Sequence, residues 1–173
     1  MHHTTKRAVL ALTLLFLMLF AATANAERYA RRFSSLQLGT KEGLNSLRIF
    51  SITTDKSGAI WMATLDGINR FNGRSMKSYS LGESPKKSDA SGSTTMLAIG
   101  PDNSLYAYNN VGRIYRYNPL TEQFELHLDL AEHIRAGLVL SHLFIDAQDN
   151  MWIGLDSGLY YCRANETPTQ IAS

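Results

Sequence analysis

The sequence has 173 residues, with 17 Lys+Arg against 15 Asp+Glu and a formal charge of +2. That near balance excludes a dedicated nucleic-acid binder, which carries a basic excess or stripe; 45% apolar and 18% charged residues exclude a disordered tail. A single cysteine, Cys162, excludes an intrachain disulfide framework and any multi-cysteine zinc site.

The N-terminus has three parts. Lys6 and Arg7 form a basic start, Ala8 to Ala22 is apolar apart from Thr13, and Ala24-Asn25-Ala26 is a small-x-small site before Glu27. This pattern predicts a secretory signal peptide over residues 1–26. The apolar stretch is short for a bilayer span, which needs about 20 residues. The mature part, residues 27–173, is then expected in the periplasm or another extracytoplasmic space. Cleavage would bring the formal charge to zero and leave His127, His133 and His142 as the histidines.

The mature chain repeats itself. Trp61, Tyr106 and Trp152 align at spacings of 45 and 46, and Gly67, Gly112 and Gly158 align at the same two spacings. Ile52, Leu97 and Leu143 align as well; Asp55 and Asp146 match, where the second copy has Gly100. Ile60–Ala63 and Met151–Gly154 are short runs apolar on both faces, the pattern of strands buried on both sides. Turn-forming clusters precede them at Asp55–Gly58, Pro101–Ser104 and Asp146–Asn150. A second hairpin is expected at Asp66-Gly67, Val111-Gly112 and Ser157-Gly158, where glycine supplies a positive φ. Phe124–Leu128 alternates apolar and polar, as a half-exposed strand does. Leu130–Arg135 is the one stretch suited to a helical turn between copies.

Four strands in about 45 residues is the size of a β-propeller blade. The predicted fold is therefore all-β, a partial propeller of about three four-stranded antiparallel blades. The blades are placed at residues 41–80, 90–129 and 136–173. Residues 31–38 are a candidate ring-closing outer strand. The third blade is expected to be incomplete, because residues 170–173 stand where its own outer strand should lie.

Residues 55 to 73, Asp-x-x-Gly-x-Ile-Trp-x-x-Thr-x-x-Gly-Ile-x-Arg-Phe-x-Gly, closely resemble the two-component regulator propeller repeat, as does Glu42-Gly43-Leu44-Asn45-Ser46 before them. The third copy fits through Asp146, Trp152, Gly154 and Gly158-Leu159, with Asp149 in the place of Gly58; the second is degenerate. The resemblance implies the extracytoplasmic sensor region of hybrid histidine kinases and related membrane-bound signalling proteins, some with diguanylate cyclase output. It implies many more blades, a further β-domain, a membrane span and cytoplasmic output modules. It also implies small carbohydrate-derived ligands. On this reading the chain is an N-terminal fragment of a sensor, with no catalytic output and no cofactor of its own. Its partners are the remaining blades of a longer chain or further copies of itself. It meets a membrane only through later segments.

The candidate chemistry is sparse. Trp61 and Trp152 recur on doubly buried strands and are expected in the core, rather than stacked on a sugar ring. Asp55 and Asp146 are expected to cap their turns through side-chain-to-backbone hydrogen bonds. The stretch is similar to the Asp-box of sialidases, but Asp to Trp is one residue longer. His127 and His133 are six apart and His142 nine further on, too wide for the usual zinc pairs, so no metal site is assigned. Cys162 is expected as a small buried side chain. Tyr106, Tyr108, Tyr115, Tyr117, Tyr160 and Tyr161 suit strands, and some are candidates for a central channel. No catalytic or ligand-binding residue is assigned. The alternatives are a secreted propeller hydrolase or lyase acting on polysaccharide, or a self-associating propeller interaction protein.

Overall fold

Consecutive strands build each sheet. The computed structural model describes residues 35–81, 94–134, 139–163 and 166–172. The first sheet is β1 (Ile49–Thr54), β2 (Ile60–Thr64), β3 (Gly67–Phe71) and β4 (Met76–Tyr79). The second is β5 (Thr95–Ile99), β6 (Leu105–Asn109), β7 (Arg113–Asn118) and β8 (Gln123–Asp129). The third is β9 (Leu140–Ile145), β10 (Met151–Leu155), β11 (Gly158–Cys162) and β12 (Thr169–Ala172). All pairings are antiparallel, and the chain is an all-β partial propeller of three blades.

The predicted signal peptide lies outside the described residues, as do residues 31–34 of the candidate ring-closing strand. Ser35–Leu38 carries no strand. The third blade differs from expectation. Its outer strand is in place, β12 pairing with β11 through Leu159↔Ala172, Tyr160↔Gln170 and Tyr161↔Thr169. The helical turn between blades two and three is a 3-10 turn at Leu130–Glu132, whose Ala131 N–H donates to the Asp129 carboxylate. A second, Thr40–Glu42, precedes the first blade. Among the described residues no helix is long and apolar enough to cross a membrane.

Strand alternation sorts the core into two layers. Trp61, Ala63, Ile68 and Tyr79 of the first blade pack against Leu97, Leu105, Ala107, Tyr115 and Phe124 of the second. Tyr106, Tyr108 and Ile114 point the other way, onto Leu143, Ile145, Met151, Ile153 and Cys162 of the third. Every residue of β6 is buried, because blades cover both its faces. The innermost strands adjoin in sequence, β1 beside β5 and β5 beside β9.

The hairpins explain where the copies tolerate change. Gly58, Asn103 and Asp149 occupy one turn position with φ of 80°, 71° and 63°. Asn and Asp are the non-glycine residues that most readily enter this left-handed region, so the third copy keeps the turn without glycine. The second hairpin is less regular. Thr64 faces Gly67 and Leu155 faces Gly158 across two-residue turns. In the second blade Tyr108 faces Ile114, and Gly112 lies inside a longer turn, its N–H donating to Asn109 O. The three glycines thus align by letter, but β7 runs one residue late.

Candidate functional site

The recurring Asp and aromatic residues form a clasp on each blade. Asp55 Oδ1 accepts from Ser57 N at 2.9 Å and Ala59 N at 3.1 Å, and its Oδ2 accepts from Trp61 Nε1 at 2.9 Å. The Arg70 guanidinium lies 5.4 Å over the Trp61 ring and 3.6 Å from Asp55 Oδ2. In the third blade Asp146 accepts from Gln148 N and Asn150 N, both at 2.9 Å, and from Trp152 Nε1 at 3.0 Å. Tyr161 there takes the place of Arg70, its ring 5.0 Å from Trp152. The turn-capping role predicted for both aspartates is present, and the indole bond extends it.

The second blade has lost both partners of that bond. Tyrosine carries no ring N–H to donate, and Gly100 carries no carboxylate. Asp102 caps instead, accepting from Ser104 N at 2.8 Å and from Arg116 Nη2 at 3.2 Å. Arg116 lies 5.6 Å over the Tyr106 ring, as Arg70 does over Trp61. A Cβ at Gly100 would sit 3.1 Å from Asp102 Oδ1, so the new arrangement also crowds the old position.

The clasps of blades one and two line one open cleft of about 810 Å³ along their first-hairpin end. Its walls carry Asp55, Arg70, Asp102, Arg116, Tyr117, Glu125 and His127. Burial opposes the charge on Asp55, but hydrogen bonds from Ser57, Trp61 and Ala59 outweigh it and hold the carboxyl below its usual range. The Ser104 hydroxyl and N–H do the same for Asp102. Burial, and then the Tyr79 hydroxyl beside it, pushes the Tyr117 phenol up to about 12. Desolvation and then the Arg116 guanidinium lower the pKa of His127, whose ring lies 5.7 Å from Tyr106. At neutral pH the cleft therefore presents fixed donors and acceptors: two guanidiniums already paired with carboxylates, a neutral imidazole and an un-ionised phenol. Asp55 and Asp102 are held by their own turns, which suits a binding surface better than proton transfer.

The other candidates are scattered. His133 and His142 are exposed, and no group of three His, Cys, Asp or Glu among the described residues could hold a metal ion. Cys162 is buried, its thiol donating to Glu166 O at 2.9 Å, and burial pushes its pKa up. Tyr106, Tyr108 and Tyr115 are buried between blades on second and third strands, so the channel expected for some tyrosines is not where these lie. Trp61 is 2% exposed, as a core residue should be. Trp152 is only half-buried, because no described blade covers its side of the third sheet.

Sequence reasoning missed Asn69. It is fully buried, accepts from Asn45 N at 3.0 Å, and donates to Gly43 O at 3.1 Å and Ser78 Oγ at 3.0 Å. Ser78 Oγ donates on to Asn45 Oδ1 at 2.7 Å. The Gly43-Leu44-Asn45 segment is thereby tied to the first blade, with Leu44 buried at 3% exposure. The signal was an amide beside Ile68 on a third strand, Gly-Ile-Asn-Arg-Phe, that the repeat places next to a doubly buried neighbour.

No family model and no curated protein matches the chain. Solved structures do. The extracellular domain of BT4673 from B. thetaiotaomicron, described as a hybrid two component system, shares 20% identity at a TM-score of 0.59, over 76% of this chain and 17% of that one. The extracellular domain of BT3049 from the same organism, described likewise, shares 22% at 0.58, over 79% of this chain and 20% of that one. A catalytically inactive virginiamycin B lyase from Staphylococcus aureus, bound to quinupristin, shares 17% at 0.53, over 71% and 40%. The chain has the fold of these proteins and spans about one-fifth of the two extracellular domains.

Proposed function

We propose that the chain is a non-catalytic, extracytoplasmic ligand-sensing propeller module, the N-terminal part of a two-component-type sensor, with a carbohydrate-derived ligand. The likeness to two extracellular domains of two-component systems supports the class, and the Asp-to-Gly repeat over residues 55–73 points the same way. One observation carries the non-catalytic part: the polar groups that recur from blade to blade are spent on holding their own blade. A ligand that shifts such a module must bind its two states with different affinity. Output then belongs to later segments of the longer protein, and the remaining blades of that protein are its first partners.

A polysaccharide lyase or hydrolase is the second reading; the virginiamycin B lyase shows that a propeller of this fold can carry an enzyme, on a substrate other than a polysaccharide. Titration calorimetry of the purified protein against neutral and acidic oligosaccharides separates the two. Saturable binding of one class with the sugar recovered intact is expected. Shortened or unsaturated products would place the protein among the enzymes, and no binding across the panel would remove the carbohydrate assignment.

A further inference from the structure

The first hairpins tie blade one to blade two, and the same tie cannot form between blades two and three. Counting along these hairpins, Lys56 corresponds to Pro101 and Asn103 to Asp149. At the first joint Asn103 reaches back to the preceding hairpin, and its Oδ1 accepts from Lys56 N at 2.7 Å. Lys56 Nζ donates in return to Pro101 O at 3.1 Å. At the second joint Pro101 stands in the place of Lys56 and carries no N–H. Asp149 keeps the left-handed turn geometry of Asn103, with φ of 63° against 71°. Its Oδ1 is buried and has no hydrogen-bond partner among the described residues. A cavity of about 190 Å³ occupies this joint. Asp149, Arg116 and His127 bear on it, and Tyr106, Leu128 and Met151 supply its less polar wall.

We infer that this cavity is a binding site for a small ligand carrying a protonated primary amine, with the ammonium against Asp149. A buried carboxylate oxygen is costly to leave without a donor. The cations nearby are engaged elsewhere: Arg116 pairs with Asp102 at 3.2 Å, and Arg163 is exposed beside Tyr161 and Glu166. No ion pair among the described residues reaches Asp149, so the group that completes the joint best is itself a cation. An ammonium brings three N–H donors; Asp149 Oδ1 and the acceptor nitrogen of the neutral His127 ring supply two partners. Arg116 enters its clasp through Nη2 alone, which leaves the rest of the guanidinium for ligand hydroxyls. The volume lies below that of pockets for drug-sized ligands and admits a single ring rather than a chain. The site rests on the cavity and its carboxylate; the carbohydrate reading proposed above makes the ligand an amino sugar with a free amine.

The test is ligand-detected saturation-transfer NMR on the purified full-length protein near neutral pH. The probes are glucosamine, N-acetylglucosamine, glucose and cyclohexylamine. Glucosamine should bind saturably, about tenfold or more tighter than the acetylated sugar or glucose, the worth of one charged hydrogen bond. Asp149→Asn should weaken it by a similar factor; the turn survives this change, since Asn103 fills the same position in the second copy. Pro101→Ala returns a backbone N–H to compete for Asp149 and should weaken it too. Cyclohexylamine bound as tightly as glucosamine would uphold the ammonium site and remove the sugar from it. Glucosamine bound no tighter than glucose, or unaffected by Asp149→Asn, would overturn the site while leaving the carbohydrate reading in place. Binding of neither amine would overturn it as well.

Discussion

Removing the Asn69 amide tests whether the segment ahead of the first blade is held by the bonds described. Asn69→Ala deletes one acceptor and two donors at a site of 0% exposure. Each such bond contributes about 1 kcal/mol net. Gly43 is exposed and Asn45 half-buried, so water rehydrates part of what is lost. The expected cost is about 2–3 kcal/mol, which at a urea slope of about 2 kcal/mol/M lowers the unfolding midpoint by roughly 1–1.5 M. Ser78→Ala removes two bonds, one from Asn69 and one to Asn45, but at an exposed position where water takes their place, and should cost about 1 kcal/mol. Hydrogen exchange at the Leu44 and Asn45 amides supplies the local readout and should accelerate in Asn69→Ala. Equal midpoints for the two variants, or unchanged exchange, would refute the argument.

Two further outcomes follow from the clasps. Within the 173-residue chain, Trp61→Ala should cost about 3–5 kcal/mol, as deletion of a core aromatic does, and Trp152→Ala less than half of that; chemical denaturation of the pair checks it, and equal losses would contradict the burial difference. Asp146 sits at about 2 in the fold against an ordinary 3.8, chiefly because the Trp152 indole donates to it. Its folded value is depressed, so its contribution is complete above about pH 5 and is lost as pH falls through 3.8 and past 2. Asp146→Asn should flatten the acid limb of the stability curve across that window, and parallel limbs for the two proteins would show that the carboxylate is not responsible.

Much of the fold was legible because a blade is a local object. Turn residues, doubly apolar strands and a period of 45 or 46 residues all lie within one copy, and the sheets follow them. The glycine alignment alone hides the lag of β7, but the apolar letters carry it: Ile68 and Leu159 follow their glycines directly, and Ile114 stands one residue further from Gly112. The Asp–Trp bond left a trace in the sequence, because the second copy loses both residues together. Arg70 and Arg116 left less of one, as their letter spacing follows the longer hairpin. Trp61 and Trp152 read alike because periodicity specifies a row, and burial depends on what stands opposite.

Each of the three sheets is closed by hairpins between chain neighbours, and this shapes how the molecule comes apart. Stability in such an array is close to a sum of terms for single units and terms for the joints between them. β6 lies at the centre of both joints, all five of its residues buried. Within the 173-residue chain taken by itself, the middle blade therefore receives coupling from two sides and each flanking blade from one. Loss of structure should begin at the flanks and reach β6 last, which makes the second copy, the most degenerate by letter, the slowest to open.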